Sequence, residues 1–124
     1  AHDDIHVTFV PHLLPVNRGI VSTIYVDLKD DIQFSDIIKI YHDYYDQEYF
    51  IRVLKTGKVA DLKFVKYSNF CDISLHYDKR YHKLIIVSTI DNMVKGAAGQ
   101  AIQNMNIMYD IEETKGLKMV SPSF

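Results

Sequence analysis

The chain has 124 residues, 48% of them hydrophobic and 24% charged, with a formal net charge of −2. That length holds one domain with its own core, and the small negative charge excludes an electrostatic case for nucleic acid or an anionic membrane surface. No apolar run approaches the roughly 20 residues of a membrane span, and the single cysteine, Cys71, excludes an internal disulfide or a multi-cysteine metal site and fits a reducing, cytoplasmic setting.

In chain order, Val7–Val10 is expected as a short strand, followed by a loop bounded by Pro11 and Pro15, which have no N–H to donate to a sheet. Gly19 marks the turn into a second strand, Ile20–Leu28, rich in β-branched residues. Ser35–Tyr45 has helical spacing, with Ile37, Ile38, Tyr41, Tyr44 and Tyr45 on one face and Ser35 as N-cap. Tyr49–Leu54 is expected as a third strand, ended by the turn Thr56-Gly57-Lys58. The acidic run Asp27–Asp31 and the tyrosine-rich Tyr41–Tyr49 stretch are expected to be structural.

Phe70–Tyr77 alternates, with Cys71, Ile73, Leu75 and Tyr77 on one face and Asp72, Ser74 and His76 on the other. That period marks a half-buried strand. A tight Asp78-Lys79-Arg80 connection leads into Tyr81–Ile90, so the two strands are expected to form a hairpin. Leu84–Val87 is apolar on both faces, which points to a central strand. A helix over Lys95–Tyr109 is expected to bury Ala98, Ala101, Ile102, Met105 and Met108. The tail from Glu112 is expected to end in a short strand. The fold class is therefore α+β: a mixed, largely antiparallel sheet with two helices in one domain, residues 1–124.

The most informative stretch is Asp91–Asn106, DNMVKGAAGQAIQNMN. The helix begins almost bare of side chains at Gly96, Ala97, Ala98, Gly99 and Ala101. Glycine inside a helix costs roughly 1 kcal/mol relative to alanine, so these residues need a reason. One is close packing against another backbone. The other is a ligand at the helix N-terminus, where free N–H groups and the dipole favour anions and polar cofactor groups.

This stretch resembles the C-terminal signature of N-acetyl-gamma-glutamyl-phosphate reductases. Val7–Ile20 (VTFVPHLLPVNRGI), Tyr67–Leu75 (YSNFCDISL) and Leu84–Ile90 (LIIVSTI) resemble the same family in the same order. The resemblance implies the sheet domain shared with glyceraldehyde-phosphate and aspartate-semialdehyde dehydrogenases, where it builds part of the active site and the subunit interface. It also implies an NADP(H)-dependent reduction of N-acetylglutamyl phosphate to the semialdehyde in arginine biosynthesis, through a thioester on an enzyme cysteine. The expected partners are that substrate, the polypeptide's own N-terminal dinucleotide-binding domain and further copies in a homo-oligomer, with neither nucleic acid nor membrane. The chain opens at AHDDIHVTFV and holds no GxGxxG, so it is expected to be the C-terminal catalytic and dimerisation part of a longer enzyme, inactive alone. The alternatives are a sister acyl-phosphate reductase of aminoadipate or aspartate-semialdehyde type, or a dimerisation module without chemistry.

The resemblance implies roles residue by residue. Asn92 matches the asparagine that in the wider superfamily holds the nicotinamide carboxamide, and its side chain offers both donor and acceptor; the alternative is a helix cap. From the helix start itself, Lys95 and Gly96 could face a cofactor; a cation there opposes the dipole, which points to a nearby phosphate or acid, or Lys95 is simply a solvated side chain. His12 would orient a catalytic group, or merely hold its loop through a backbone hydrogen bond. Arg18 would clamp a substrate carboxylate or phosphate, or pair with a neighbouring acid. Catalytic residues proper are expected upstream: the family's Gly-Cys-Tyr-Pro and His-x-His-x-Pro-Glu motifs are not in this sequence. Cys71, in a strand on the apolar face, is expected to be a structural thiol. His2, His6, His42, His76 and His82 are expected at solvated positions, and no histidine pair has the spacing of a zinc site.

Overall fold

The sheet is built around the β-branched run Ile85–Ile90, and the computed structural model describes residues 6–121. Strand β1 spans Ile20–Asp27, helix α1 Phe34–Tyr45, β2 Ile51–Val53, β3 Cys71–Asp78, β4 Lys83–Ile90 and helix α2 Gly99–Met108. The strand order is β1-β4-β3-β2. β4 pairs antiparallel along its whole length with β1 and with β3, and only β2 runs parallel to its neighbour. The expected mixed sheet with two helices, the β3–β4 hairpin and the central position of β4 are all present.

The core lies between α1 and one face of the sheet. Ile37 of α1 packs with Ile73, Leu75 and Leu84, and Ile38, Tyr41, Tyr45, Cys71 and Ile86 close around them. Burying each such aliphatic side chain contributes roughly 1.5–3 kcal/mol, so this layer fixes the register of β3 and β4. α1 starts one residue earlier than expected, with Gln33 in the cap position and no side-chain capping bond. The Phe34 ring stacks on Tyr77 with centroids 5.6 Å apart, which draws Phe34 into the helix and leaves Ser35 inside it rather than at its N-cap.

Other expectations are corrected. Val7–Val10 is not a strand: it is exposed, and no neighbouring strand offers it a ladder. The third strand shrinks to Ile51–Val53, because Tyr49 and Phe50 instead pack with Phe70, with Phe50 almost wholly buried. The polar face of β3 is not solvated. Asp72 and Ser74 are buried, since the connection after β2 folds over them. Ala60 N–H donates to Ser74 Oγ, and Arg52 Nε donates to Asp72 Oδ1 at 2.5 Å. His76 and His82 are half-buried and bonded, to Ser74 and to Tyr77 respectively. No strand forms in the tail among the described residues.

α2 is turned opposite to expectation. Its buried residues are Gly99, Gln103 and Asn106, whereas Ala98 and Ala101 are exposed and Ile102, Met105 and Met108 are 38%, 46% and 80% exposed. The polar side chains face inward because each finds partners there. Gln103 Oε1 accepts from Asn69 Nδ2 and from Lys95 Nζ, and Gln103 Nε2 donates to Glu113 Oε1. Asn106 Nδ2 donates to the carbonyls of Glu113 and Lys115, tying the tail to the helix. One turn of wider, π-helical winding, Val94–Ala98, precedes α2.

Candidate functional site

β4 ends at Ile90, and the next residue, Asp91, is fully buried with both carboxylate oxygens engaged. Oδ1 accepts from the backbone N–H groups of Met93 and Val94, at 2.8 and 2.9 Å. These are free donors at a helix start, so Asp91 is the cap of this helical segment. Oδ2 accepts from Arg18 Nε at 2.5 Å and from Tyr67 N–H at 2.6 Å. Burial pushes the Asp91 carboxyl upward in pKa, but the Arg18 guanidinium and the three backbone donors together hold it below the ordinary carboxylate range.

Arg18 therefore pairs with a buried acid, and its guanidinium also lies 4.3 Å from the centroid of the Tyr67 ring. Tyr67 adopts a left-handed backbone, with φ of 61°, which presents its N–H to Asp91. Among the described residues the two terminal nitrogens of Arg18 have no protein partner. Asn92 is exposed, and its Oδ1 accepts from Gly19 N–H at 2.8 Å. Its Nδ2 donates to no group among the described residues. Gly19 has φ of +115°, and an added Cβ would stand 2.5 Å from Leu62 Cδ2, so glycine is needed for the turn that brings its N–H to Asn92.

These residues share one groove. His12, Arg18 and Asn92 line a cleft of about 250 Å³ together with Leu14, Gly19 and Ile20. His12 is exposed, and its Nδ1 lies 3.1 Å from the Val10 carbonyl, the loop-holding bond.

The other two candidates lie elsewhere. The Lys95 side chain folds back under α2 to Gln103 Oε1 at 2.7 Å, and burial lowers its pKa. It is part of the buried polar seam and not of the groove. Gly96 is exposed with Ala97 and Ala98, and a Cβ there would meet Ile90 and the Asp91 carbonyl only at ordinary contact distance. Gly99 is different, because an added Cβ would run into Asn69 Oδ1 and lie 2.7 Å from Val94 Cγ1. The two explanations of the small-residue stretch thus divide: Gly99 is required by packing, while residues 96–98 leave an open surface. Cys71 Sγ lies 3.3 Å from Ser88 Oγ, and burial raises its thiol pKa, as suits a structural thiol.

Asn92 Nδ2 thus has a donor to offer among the described residues, and residues 96–98, further along the same segment, are exposed. Neither Asp91 nor Tyr67 figured among the residues singled out in the sequence. An aspartate two residues before the first N–H donor of a glycine-rich helix was the available signal for Asp91; Tyr67 offered none.

The family model for the semialdehyde dehydrogenase dimerisation domain matches residues 1–92. An N-acetyl-gamma-glutamyl-phosphate reductase of Brachyspira hyodysenteriae is 63% identical over 123 residues, 98% of this chain and 35% of that protein. The enzymes of the same name from Clostridium beijerinckii and Geobacter metallireducens are 52% and 53% identical, covering 100% and 95% of this chain and 36% and 34% of theirs. The chain thus spans about a third of the length of these curated relatives. It belongs to the semialdehyde dehydrogenase dimerisation-domain family, and its similar relatives are N-acetyl-gamma-glutamyl-phosphate reductases.

Proposed function

We propose that this chain is the dimerisation part, and one wall of the active site, of an N-acetyl-gamma-glutamyl-phosphate reductase that acts in arginine biosynthesis in the cytoplasm. The single observation that carries the reading is the convergence of Asn92, Arg18 and His12 on one groove. Bound NADPH supplies the hydride. Asn92 Nδ2, without a partner among the described residues, would hold the carboxamide of the nicotinamide, with Gly19 N–H fixing the Asn92 amide through Oδ1. Residues 96–98 leave the ring room. Arg18 offers its two terminal nitrogens to the substrate's carboxylate or phosphate while Asp91 holds Nε. His12 shapes the loop above. Lys95 and Gly96 act at one remove, the first by bracing α2 and the second by leaving space.

The nucleophilic cysteine, the acid/base histidine and the dinucleotide-phosphate loop belong to the N-terminal domain in this reading, so the isolated chain is inactive. Two exposed surfaces support that assembly. The outward row of α2 (Ile102, Met105 and Met108) suits the polypeptide's own N-terminal domain. β1 is exposed along its whole length and carries Ile20, Val21, Ile24 and Tyr25, a surface that suits a second copy.

The test is NADPH oxidation by the intact polypeptide with N-acetylglutamyl phosphate. The expected result is phosphate-releasing turnover that falls roughly 10²-fold in Asn92→Ala, with none from the isolated chain. An intact protein indifferent to Asn92 overturns the reading in favour of a dimerisation module, and turnover by the isolated chain overturns the assignment of the catalytic groups to the N-terminal domain.

A further inference from the structure

We propose that Asp91 is a positioning residue, whose saturated carboxylate locks Asn92 and Arg18 into the one arrangement in which both face the groove. This inference rests on the reductase reading above. An ionised carboxylate has about four lone-pair sites. Asp91 uses both oxygens twice, on Arg18 Nε and Tyr67 N–H at Oδ2 and on Met93 and Val94 N–H at Oδ1. It is fully buried and has no capacity left for a ligand, so its influence on the groove runs through its neighbours. Oδ1 sets where the helical segment begins, and therefore where Asn92, the residue between strand and helix, can point. Oδ2 holds one edge of Arg18 against the Tyr67 ring and so turns the other two nitrogens outward. Because Arg18 and Gly19 are adjacent, the same anchor brings Gly19 N–H to Asn92 Oδ1. One buried acid therefore joins three separate stretches of chain at the groove.

Asparagine at this position is nearly the same shape but replaces one double acceptor with an N–H₂ group facing two donors. Either the Arg18 side or the helix cap must then let go. The experiment uses the intact polypeptide, first free of cofactor. In the wild type, Gly19 N–H is expected to exchange more slowly than an unbonded amide, because Asn92 Oδ1 accepts it. Asp91→Asn is expected to speed that exchange about tenfold, while amides in the middle of β3 and β4 are unchanged. In turnover with NADPH, Asp91→Asn is expected to lower kcat roughly 10²-fold, and Asn92→Ala added to it lowers kcat no further, since both act through the same contact. Asp91→Ser keeps a capping oxygen and gives the same exchange pattern if the asparagine variant does not fold. Unchanged Gly19 exchange in both variants, or fully multiplicative losses in the double variant, overturns the inference. If Asn92→Ala alone leaves kcat intact, the reductase wall fails as a reading, and the exchange result still judges Asp91.

Discussion

Arg18 Nε donates to Asp91 Oδ2 across a separation of 73 residues, and the pair fastens the entry of the outer strand β1 to the exit of the central strand β4. The two strands also pair at this end, Ile20 opposite Ile90. The ion pair therefore continues the ladder beyond its last backbone rung, and it does so where the groove begins.

The Asp91 carboxyl has a folded pKa depressed below its ordinary value of 3.8. A depressed carboxylate contributes stability that is fully present above the unfolded value and lost as pH falls through the folded one. Urea midpoints are thus expected to be level with respect to this group above about pH 5 and to fall below about pH 4. In Asp91→Asn the part of that acid slope due to this residue disappears. An unchanged slope contradicts the assignment.

The polar seam under α2 predicts unequal costs for two substitutions on the same helix. Gln103→Leu leaves Asn69 Nδ2, Lys95 Nζ and Glu113 Oε1 short of a partner, and is expected to cost about 2–3 kcal/mol in chemical denaturation. Met108→Gln, on the exposed row, is expected to change the stability of the isolated chain by less than about 0.5 kcal/mol. In the intact polypeptide the same change is expected to destabilise if that row packs against the N-terminal domain as proposed, and an unchanged melt contradicts that packing.

Gly99 and Gly96 separate in the same way. Gly99→Ala forces a Cβ against Asn69 Oδ1 and Val94, and overpacking of this kind costs typically 1–3 kcal/mol. Gly96→Ala has ordinary space within the chain, so its stability is expected to hold or rise slightly. Any loss of NADPH affinity in Gly96→Ala therefore reports the open surface and not the fold. Thermal melts and cofactor titrations on both variants check this.

Cys71 is expected to be a slow thiol. Burial raises its pKa, with the Ser88 hydrogen bond and the Lys95 charge only partly opposing. Peptide-resolved alkylation at neutral pH should label Cys71 far more slowly than the same cysteine in the denatured protein. Rapid labelling of the native protein contradicts the structural role.

The sheet was legible because its signals are local and repeated. Apolar–polar alternation at residues 71–77, the apolar run at 84–87 and the Asp78 turn give the hairpin and its central strand without reference to anything distant. α2 is turned the other way because periodicity records amphipathicity but not which side is inside. An apolar row can face outward where the inward positions are polar and bonded, and Gln103 and Asn106 turn inward because Lys95, Asn69 and Glu113 supply partners. The groove was half legible. Asn92, Arg18 and His12 were visible through family resemblance, and they do converge. Lys95 was not separable from them in sequence, because its contact with Gln103, eight residues on, depends on which face of α2 turns inward. Asp91 carries a signal as a helix cap, but its union with Arg18 is a contact between distant residues that no local pattern encodes.

The most direct measurement is a titration of NADPH into the intact polypeptide, followed through the side-chain amide resonance of Asn92 and the backbone amides of residues 94–98. Saturable shifts of the Asn92 amide and of Gly96–Ala98, with the amides of α1 unmoved, are the predicted result. Tight cofactor binding that leaves all of these resonances in place would contradict the claim that this wall receives the nicotinamide.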